Sequence, residues 1–533
     1  MSKIQELLYK LVSVQSDTGT KLEVGMAEYL FDIVKEQAYF QEHPQLCGMY
    51  YGDDFLKRPI VWALRKGKSQ NTIILTGHYD AVGLEPYGTV KAYALKPEEL
   101  KEKLKDLELS PEIKADLENS DWHFGRGIND MKAGLSINLN AIDSIEDAEA
   151  NILFMAVHDE ENLSAGMRQG TKLLVELSEK HHLDYKLMVI TEPHTRSADD
   201  RFKMFTGTVG KIMPLIVAKG KTTHISDVMN GLNATLITSR IVTELELNPE
   251  LCSSDLGMMT TPPTVLYARD LKGSYDVSMP EYSAFYLSFS FLKSKTAEQI
   301  LGEIKTTAQG AFRKVIEKYQ AAQRYLDEKG VEQTGSKQDF EPLVYTFEEL
   351  QEIAKKNNPR YGEESHQLYE EVSAQVQSGE LTIQDAGIQI VKRVIQLSQI
   401  TEPLVVVGVI PPYYPPANNS YLAQGSERFE ECLETILTKK YGLKVDKEAY
   451  FMGISDGSYT CCANRAAEQK IMASMVTSEN MYHIPFEYME KLSVPFLILG
   501  PWGKDYHTIS ERVYMPDVEK TLPELIQNLV YMV

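Results

Sequence analysis

The sequence predicts an α/β protein in which a second, α+β domain is inserted into the first. Strand-like and amphipathic helix-like segments alternate over residues 1–205, and this alternation is typical of a mixed, mostly parallel sheet flanked by helices. The pattern changes over 206–416, where strands are followed by long helical stretches, and the alternation returns over 417–533. We therefore expect one domain formed by 1–205 and 417–533, interrupted by an inserted domain at 206–416.

Hydrophobic periodicity predicts the elements of the first domain. The apolar residues near the N-terminus fall on one helical stripe, which predicts an opening amphipathic helix. Further helices are expected at 22–37, 131–145 and about 165–180, and strands that run into polar loops at 71–83, 151–162 and 186–194. Because ligands bind at the carboxyl ends of the strands in such sheets, the side chains that follow these three strands should meet at one edge.

The same signals predict the elements of the inserted domain. Helices are expected at 231–246 and 297–328, and residues 345–400 are rich in Glu, Gln and Lys and are mainly helical in pattern. The inserted domain thus carries a helical extension at about 325–400. A strand at 402–416 should be stopped by its four prolines, because proline cannot donate a hydrogen bond to a ladder.

Composition and charge limit the possible partners. The chain has 533 residues and a net charge of −21, so it repels phosphate backbones and nucleic acid is not expected as a partner. No apolar run in the sequence approaches the roughly 18 residues that span a bilayer, and no membrane partner is expected. The five cysteines are too few for a disulfide framework, which favours a cytoplasmic location.

Metal-binding side chains follow each of the three strands of the first domain. Any one of them could be a surface residue or a helix cap, but together they provide imidazole and carboxylate groups at one edge, which suits a divalent cation such as zinc. The set exceeds the four ligands of one tetrahedral zinc ion, which predicts two metal ions. Those that follow the three strands are His78 and Asp80, then Asp159, Glu160 and Glu161, and then Glu192. Two further members lie elsewhere: Asp130 in the glycine-rich turn GRGINDMKAG, and His507 in GPWGKDYHT after a later strand.

The ordered motifs TGHYDAVG, GRGINDMKAG, DEEN, TEP and GPWGKDYHTISE resemble those of a known metallopeptidase family. This is the family of acetylornithine deacetylase, succinyl-diaminopimelate desuccinylase, aminoacylase and carboxypeptidase G, and the resemblance covers nearly the whole chain. The length and the large inserted domain are most similar to the RocB branch, the arginine utilisation proteins. The resemblance implies a hydrolase that cleaves an amide bond of an N-acyl amino acid or a small peptide through a metal-bridged water.

The resemblance also implies the metal ligands of this chain. Asp130 would bridge two divalent ions, with His78 and Glu192 completing one site and Glu161 and His507 completing the other. Zinc is the expected metal, with cobalt or manganese as alternatives. The RocB branch further implies a role in arginine catabolism.

Catalytic roles follow from the same resemblance. Glu160 is the implied general base, and Asp80 is implied to orient the imidazole that binds metal. His224 corresponds to the histidine of the inserted lid domain that contacts the substrate carbonyl. Asn233 and Gly457 are candidates for substrate binding.

The chain departs from the family in its inserted domain. Members that bind a substrate carboxylate often use an arginine on a lid strand, but the corresponding stretch here is YLSFSFLKS; Arg240, Arg269 or Lys293 are possible substitutes. Smaller members dimerise through the lid. Since the extra helices could cover that surface, we expect this chain to work without a lid-mediated dimer.

Two other functions fit parts of the sequence. Residues Gly453–Gly457 match G-x-S-x-G, the nucleophile motif of serine hydrolases, and Asp505 and His507 follow Ser455 in the required order. This alternative leaves the metal-type side chains after the three strands unexplained. A non-catalytic amino-acid-binding relative of the fold is the second alternative, and it gives no purpose to Glu160.

Overall fold

The computed structural model describes residues 2–197, 199–331, 338–462 and 465–533. Contacts divide the chain into two compact units. Unit 1 comprises Met1–Thr208, Ala417–Ala463 and Pro485–Val533, and unit 2 comprises Val209–Pro416 and Asn464–Ile484.

The first 208 residues supply most of unit 1. Their helices are α1 (Lys3–Val12), α2 (Leu22–Glu36), α3 (Ala38–Glu42), α4 (Pro97–Leu104), α5 (Pro111–Glu118), α6 (Gly134–Ser144) and α7 (Ala165–His181). Their strands are β1 (Cys47–Tyr50), β2 (Ile60–Arg65), β3 (Asn71–His78), β4 (Trp122–Phe124), β5 (Asn151–Val157), β6 (Asp184–Ile190), β7 (Phe202–Phe205) and β8 (Gly207–Thr208).

The rest of the chain first builds unit 2 and then completes unit 1. Residues 209–416 contain β9 (Gly210–Lys219), α8 (Ala234–Leu245), β10 (Ser254–Asp255), β11 (Met258–Met259), β12 (Thr264–Asp270), β13 (Tyr282–Phe291), α9 (Ala297–Glu328), β14 (Leu343–Thr346), α10 (Phe347–Asn357), α11 (Tyr361–Gln377), α12 (Ile383–Leu397) and β15 (Leu404–Tyr414). The remainder contains β16 (Ala417–Asn418), α13 (Glu427–Tyr441), β17 (Val445–Glu448), α14 (Arg465–Ser474), α15 (Phe486–Leu492), β18 (Phe496–Ile498), β19 (Gly503–Lys504), β20 (Arg512–Tyr514) and α16 (Leu522–Met532).

The largest sheet of unit 1 has eight strands in the order β1-β2-β5-β3-β6-β18-β7-β17. The pairs β5/β3, β3/β6, β6/β18 and β7/β17 are parallel, and the pairs β1/β2, β2/β5 and β18/β7 are antiparallel. Every residue of β5 is buried, as is typical of a strand covered on both faces. The predicted α/β class, with a mixed, mostly parallel sheet flanked by helices, is confirmed.

The register of three neighbouring strands positions the candidate site. His78, the last residue of β3, pairs with Val157, the last residue of β5. On its other side Thr76 of β3 pairs with Ile190, the last residue of β6. The loops that leave β3, β5 and β6 therefore begin at one edge of the sheet, as expected for parallel strands.

The sheet of unit 2 has five strands in the order β12-β13-β9-β15-β14, and only β14/β15 is a parallel pair within it. Helices α8 and α9 pack against this sheet. Helices α10–α12 share a buried cluster with Met213, Leu215 and Val217 of β9. These three side chains alternate along the strand and so lie on one face. The helical extension therefore covers one face of the sheet; of the predicted extension at 325–400, residues 332–337 lie outside the described residues.

The strand at 402–416 is expected to stop at its four prolines, but the first two of them do not stop it, so that prediction was wrong for these two residues. Strand β15 continues through Pro411 and Pro412 and ends at Tyr414. Its pairing with β9 is interrupted after Ile410 and resumes between Tyr414 and Lys211, while β14 pairs only with residues 404–407. The two prolines thus lie where no ladder bond is needed from their nitrogens.

One segment lies in a different unit from the one expected. The sequence pattern assigns 464–484 to the first domain with the rest of 417–533, but contacts assign it to unit 2. Val476 donates its backbone N–H to the carbonyl of Val409 (2.8 Å), and its side chain belongs to the cluster under α10–α12. Pairing between two distant segments leaves no local signal in the sequence.

Among the residues that the structure describes, no helix has both the length and the apolar composition needed to cross a bilayer.

The buried position of the helical extension predicts a matched pair of stability changes. Ile390 of α12 is fully buried, whereas Ile225, before α8, is 59% exposed. Ile390→Ala should lower the free energy of unfolding by about 2–5 kcal/mol, and Ile225→Ala by less than about 0.5 kcal/mol. Urea unfolding followed by circular dichroism compares the two variants. Equal losses would contradict a packing role for α12.

Candidate metal centre

His78 is held at the end of β3 in an orientation that would suit a metal ligand. Its Nδ1 lies 3.0 Å from the backbone carbonyl oxygen of Asp80. A carbonyl oxygen only accepts hydrogen bonds, so Nδ1 donates to it, and Nε2 is the ring nitrogen that faces the neighbouring carboxylates. Nε2 lies 3.0 Å from Asp130 Oδ1 and 3.6 Å from Glu192 Oε1. A cation between these three groups would bind Nε2 of an imidazole whose other nitrogen is held by the Asp80 carbonyl oxygen.

Asp130 stands between two histidines. It lies in the turn at Ile128–Ala133 that leads into α6, and its own backbone is not helical (φ −111°, ψ 98°). Its Oδ1 faces His78, and its Oδ2 lies 3.3 Å from Nε2 of His507. Nε2 of His507 also lies 2.7 Å from Glu161 Oε1. One carboxylate therefore presents an oxygen to each of two sets of candidate ligands.

The structure brings together all five residues expected to bind metal. His78, Asp130 and Glu192 form one group, and Asp130, Glu161 and His507 form the other; in each group the ligand atoms lie within 4.8 Å of one another. The His507 side chain is 44% exposed, whereas the side chains of Asp130 and Glu161 are 15% and 10% exposed. The second group therefore lies nearer to solvent than the first.

The electrostatics of this edge favour cations. Burial and the charge of Glu192 raise the pKa of Glu160, and burial and the charge of Asp130 raise the pKa of Glu161. Burial also raises the pKa of Glu192, with a further contribution from Asp130. Carboxylates packed this closely repel one another in a low-dielectric environment. Two divalent cations would offset that repulsion, and imidazole and carboxylate groups are ligands that zinc and similar metals accept.

The Asp80 carboxylate holds the turn that carries Glu160. Asp80 Oδ1 accepts the backbone N–H of Glu160 (3.1 Å), and Oδ2 accepts the N–H of Glu161 (3.3 Å) and the hydroxyl of Thr18 (2.9 Å). Asp80 Oδ1 lies 3.5 Å from His78 Nδ1, farther than the Asp80 carbonyl. The Asp80 carboxylate therefore fixes the backbone of Glu160, the expected general base, and also lies close to His78. No pattern in the sequence pointed to Thr18.

A buried ion pair joins the loops that carry Asp130 and His507. Arg126 donates through Nη1 to Glu511 Oε2 (2.6 Å) and through Nη2 to the carbonyl oxygen of His507 (3.2 Å). Glu511 Oε1 accepts the backbone N–H of Asp130 (3.4 Å) and of its neighbour Asn129 (3.3 Å). Arg126 and Glu511 lie inside the motifs GRGIND and HTISE, but sequence reasoning missed them because it cannot pair them.

The serine-hydrolase alternative gains no support from the geometry. The Ser455 side chain accepts the N–H of Gly457 (3.2 Å) and caps the short helix at Asp456–Tyr459. Asp505 accepts from Ser510 Oγ (2.7 Å) and pairs with Arg512. His507 faces the candidate metal ligands, so the three residues of that alternative are engaged in other contacts.

Asp456 is a buried group near the site that the sequence analysis passed over. Its side chain belongs to the GISDG loop and the residue is 2% exposed. Burial, opposed by the charge of His78, raises the pKa of Asp456 to about 7. The charge of Asp456 also raises the pKa of Glu160 and of Glu192. The G-x-S-x-G motif suggests a role for Ser455, but its aspartate, Asp456, is the residue whose charge acts on Glu160 and Glu192.

The remaining predicted site residues have structural contacts of their own. Gly457 is buried, and a Cβ there would lie 2.7 Å from the Phe496 ring, so the position has no room for a side chain. His224 and Asn233 belong to unit 2. The His224 side chain is exposed and its Nδ1 lies 2.8 Å from Ser226 Oγ. Asn233 is the N-cap of α8, accepting the N–H of Thr235 (2.8 Å).

Comparison with known proteins confirms the resemblance of the sequence motifs. The family model described as Peptidase family M20/M25/M40 matches residues 74–532. The chain is 34% identical to protein YqjN of Bacillus subtilis, over 98% of this chain and 94% of that protein. It is 27% identical to protein RocB of the same organism, over 99% of this chain and 94% of that protein. The M20 family metallo-carboxypeptidase Sso-CP2 from Sulfolobus solfataricus shares the fold, with a TM-score of 0.54 at 12% identity and 100% coverage of both chains.

The shared position of Asp130 predicts the metal content of the chain. Protein loaded with excess zinc, cobalt or manganese should hold two divalent cations per chain. Glu192→Gln and Glu161→Gln should each lower the content towards one, and Asp130→Asn should lower it towards zero, because only Asp130 belongs to both groups. Elemental analysis measures the content and anomalous scattering locates the metals. A single metal in fully loaded protein, or metals elsewhere, would contradict the prediction.

Proposed function

Since the chain belongs to peptidase family M20/M25/M40, we propose that it uses two divalent cations to hydrolyse the amide bond of an N-acyl amino acid or a small peptide. The observation that carries the proposal is the position of the Asp130 carboxylate. It faces His78 on one side and His507 on the other, and Glu160 lies on the adjoining turn. The family membership makes the chain a hydrolase of C–N bonds, while the substrate class and the number of metals are part of the proposal.

The residues of this edge have separate tasks in the proposed reaction. Two divalent cations held by the two ligand groups would polarise a water molecule and the substrate carbonyl, and zinc is our first choice. Glu160 takes a proton from the attacking water molecule while the oxygen of that water bonds to the carbonyl carbon. It then gives that proton to the departing nitrogen as the C–N bond breaks. The products are a carboxylic acid and an amine, and Asp80 keeps the backbone of Glu160 in place throughout.

The likeness to RocB supports a particular choice of substrates to test. The identity of 27% extends over 99% of this chain, so the inserted domain is included in the match. We propose that the substrate is a small N-acylated amino acid or peptide, and that arginine-derived compounds belong in the first panel because the RocB branch is associated with arginine utilisation.

A hydrolysis screen tests the proposed function. Metal-stripped protein is given zinc, cobalt or manganese and assayed with N-acyl amino acids, carbamoyl compounds and dipeptides, with release of the free amine as readout. Activity should disappear with a chelator and return with added metal. Activity that survives the chelator but is abolished by a serine-reactive phosphonate would favour the serine alternative and overturn the proposal. A chain that binds these compounds but cleaves none would favour the binding-protein alternative.

The assignment of Glu160 as general base predicts a separation between activity and metal content. Glu160→Gln keeps the size of the side chain but cannot accept the proton, so kcat should fall by roughly 10²–10⁴. Metal content should remain that of the unmodified protein, since Glu161 is the proposed ligand. Elemental analysis and steady-state kinetics are measured on the same preparation. If Glu160→Gln loses metal while Glu161→Gln keeps it, the two assignments are exchanged.

We also propose that His224 donates a hydrogen bond to the substrate carbonyl and that the chain works without a lid-mediated dimer. In the structure α10–α12 cover a face of the unit 2 sheet, whereas the edge strand β12 remains largely exposed. The extra helices therefore cover a face of this sheet and leave its β12 edge exposed, and a mixing experiment distinguishes a chain that works alone from a lid-mediated dimer.

The role of His224 predicts a large and specific loss of turnover. His224→Ala should lower kcat by about 10²–10³, as expected for a donor to a developing oxyanion, with metal content unchanged. A mixture of inactive His224→Ala protein and inactive Glu160→Gln protein should stay inactive if each chain uses its own His224. Recovered activity in the mixture would show that His224 acts across a dimer.

A further inference from the structure

A buried cluster of four charged side chains lies behind the turn of Glu160. Arg58, two residues before β2, donates through Nε and Nη2 to the two oxygens of Asp54 (3.1 and 2.8 Å). Its Nη1 donates both to Glu23 Oε2 and to Asp159 Oδ1, at 2.7 Å each. None of these side chains is more than 3% exposed. Burying charges is costly even when they are paired, so the cluster calls for a role beyond packing.

The cluster holds Asp159 by its side chain and by its backbone. Arg58 binds the Asp159 carboxylate, and Glu23 Oε1 accepts the Asp159 backbone N–H (2.9 Å). Asp159 has a φ of 66°, a left-handed conformation that residues other than glycine adopt chiefly where surrounding contacts enforce it. The clamp by Arg58 and Glu23 is such a set of contacts.

Asp159 in turn begins the loop that carries the proposed base and a proposed ligand. Glu160 and Glu161 are the next two residues. The Asp159 carbonyl accepts the backbone N–H groups of residues 162, 163 and 164 (3.3, 3.1 and 2.7 Å). This closes a tight turn around the two glutamates. The turn is therefore fastened at its start by Arg58 and along its length by the Asp80 carboxylate.

We propose that Arg58 is a positioning residue for Glu160 and Glu161, acting through Asp159 and without contact to substrate or metal. The inference rests on the proposed function, because the turn orients Glu160 and Glu161, whose roles as general base and metal ligand are part of that proposal. A guanidinium group suits the task, since its planar fork can bind Asp54 with two donors while a third bridges Glu23 and Asp159. A single ammonium group cannot reproduce that geometry.

The alternative is that Arg58 only fastens α2 to the start of β2. Glu23 belongs to α2, so loss of Arg58 would then lower stability and leave turnover of the folded enzyme unchanged. Arg65, at the other end of β2, provides the matched control. Its side chain is 13% exposed, and its Nη1 donates to the carbonyl oxygens of Ile142 and Asp143 (3.0 and 3.2 Å).

The test compares Arg58→Lys with Arg65→Lys in metal-loaded enzyme. Arg58→Lys should lower kcat by about 10–100-fold, as changes behind metal ligands do, with KM little changed. It should also change the visible absorption of the cobalt-substituted protein, because Glu161 is displaced. Arg65→Lys should leave kcat and the cobalt spectrum unchanged even if its melting temperature falls. Arg58→Lys with normal kcat and a normal spectrum would overturn the proposal.

A second variant keeps the test decisive if Arg58→Lys does not fold. Asp159→Asn keeps the size of the side chain and removes only its charge, and it should show the same loss of kcat and the same spectral change. Unchanged kcat and spectrum in folded Asp159→Asn would also overturn the proposal. In a Glu160→Gln background, Arg58→Lys should lower kcat by a smaller factor than in the unmodified protein, because the part of its effect that acts through Glu160 is already lost.

The cobalt spectrum separates this inference from the proposed function. It is recorded without substrate and reports the geometry around Glu161. If the unmodified protein cleaves no compound of the panel, the proposed function fails, but a spectrum altered by Arg58→Lys and unaltered by Arg65→Lys would still support the positioning role.

Discussion

The candidate centre depends on the single carboxylate of Asp130, which faces a histidine from each of two distant parts of the chain. His78 approaches it from the end of β3, and His507 approaches it from the loop between β19 and β20. Gly127 opens the turn around Asp130 with a φ of 65°, and a Cβ at this position would lie 3.0 Å from the Cβ of Ala81. The turn can therefore pass close to the end of β3, where the carboxylate is needed.

The charges around this centre are divided between two layers. The inner layer contains the imidazoles and carboxylates that face one another, and its negative charge is what would attract divalent cations. The outer layer contains Arg58 and Arg126, whose guanidinium groups are engaged by Glu23, Asp54 and Asp159 in one case and by Glu511 in the other. Because these arginines are occupied by their own partners, they hold the loops without filling the place of the metals.

Much of the inner layer could be predicted from sequence because its signals are local. A buried strand followed at once by a histidine or a carboxylate is readable in a dozen residues, and the parallel arrangement of β5, β3 and β6 then brings the ends together. The outer layer could not be predicted, because its partners are far apart. Arg58 and Asp159 are separated by 101 positions, and Arg126 and Glu511 by 385.

The two wrong predictions about the fold have the same physical origin. The segment 464–484 was assigned to the wrong unit because its partner strand, β15, lies some way before it in the chain. Strand β15 passes through Pro411 and Pro412 because neighbouring strands leave those positions unpaired. Both features depend on which strand lies alongside, and periodicity within one segment carries no information about that.

The N-terminal part of the chain is therefore part of the site even though it carries none of the expected ligands. The family match begins at residue 74, but Thr18 binds the Asp80 carboxylate, and Glu23 and Arg58 hold Asp159. The side chains of the inner layer are of types that suit a pair of divalent cations. If Arg58 positions the turn of Glu160 as proposed, the orientation of that turn depends on residues that precede the match. A chain could then retain every motif of the inner layer and still misplace its proposed general base if the outer layer changed.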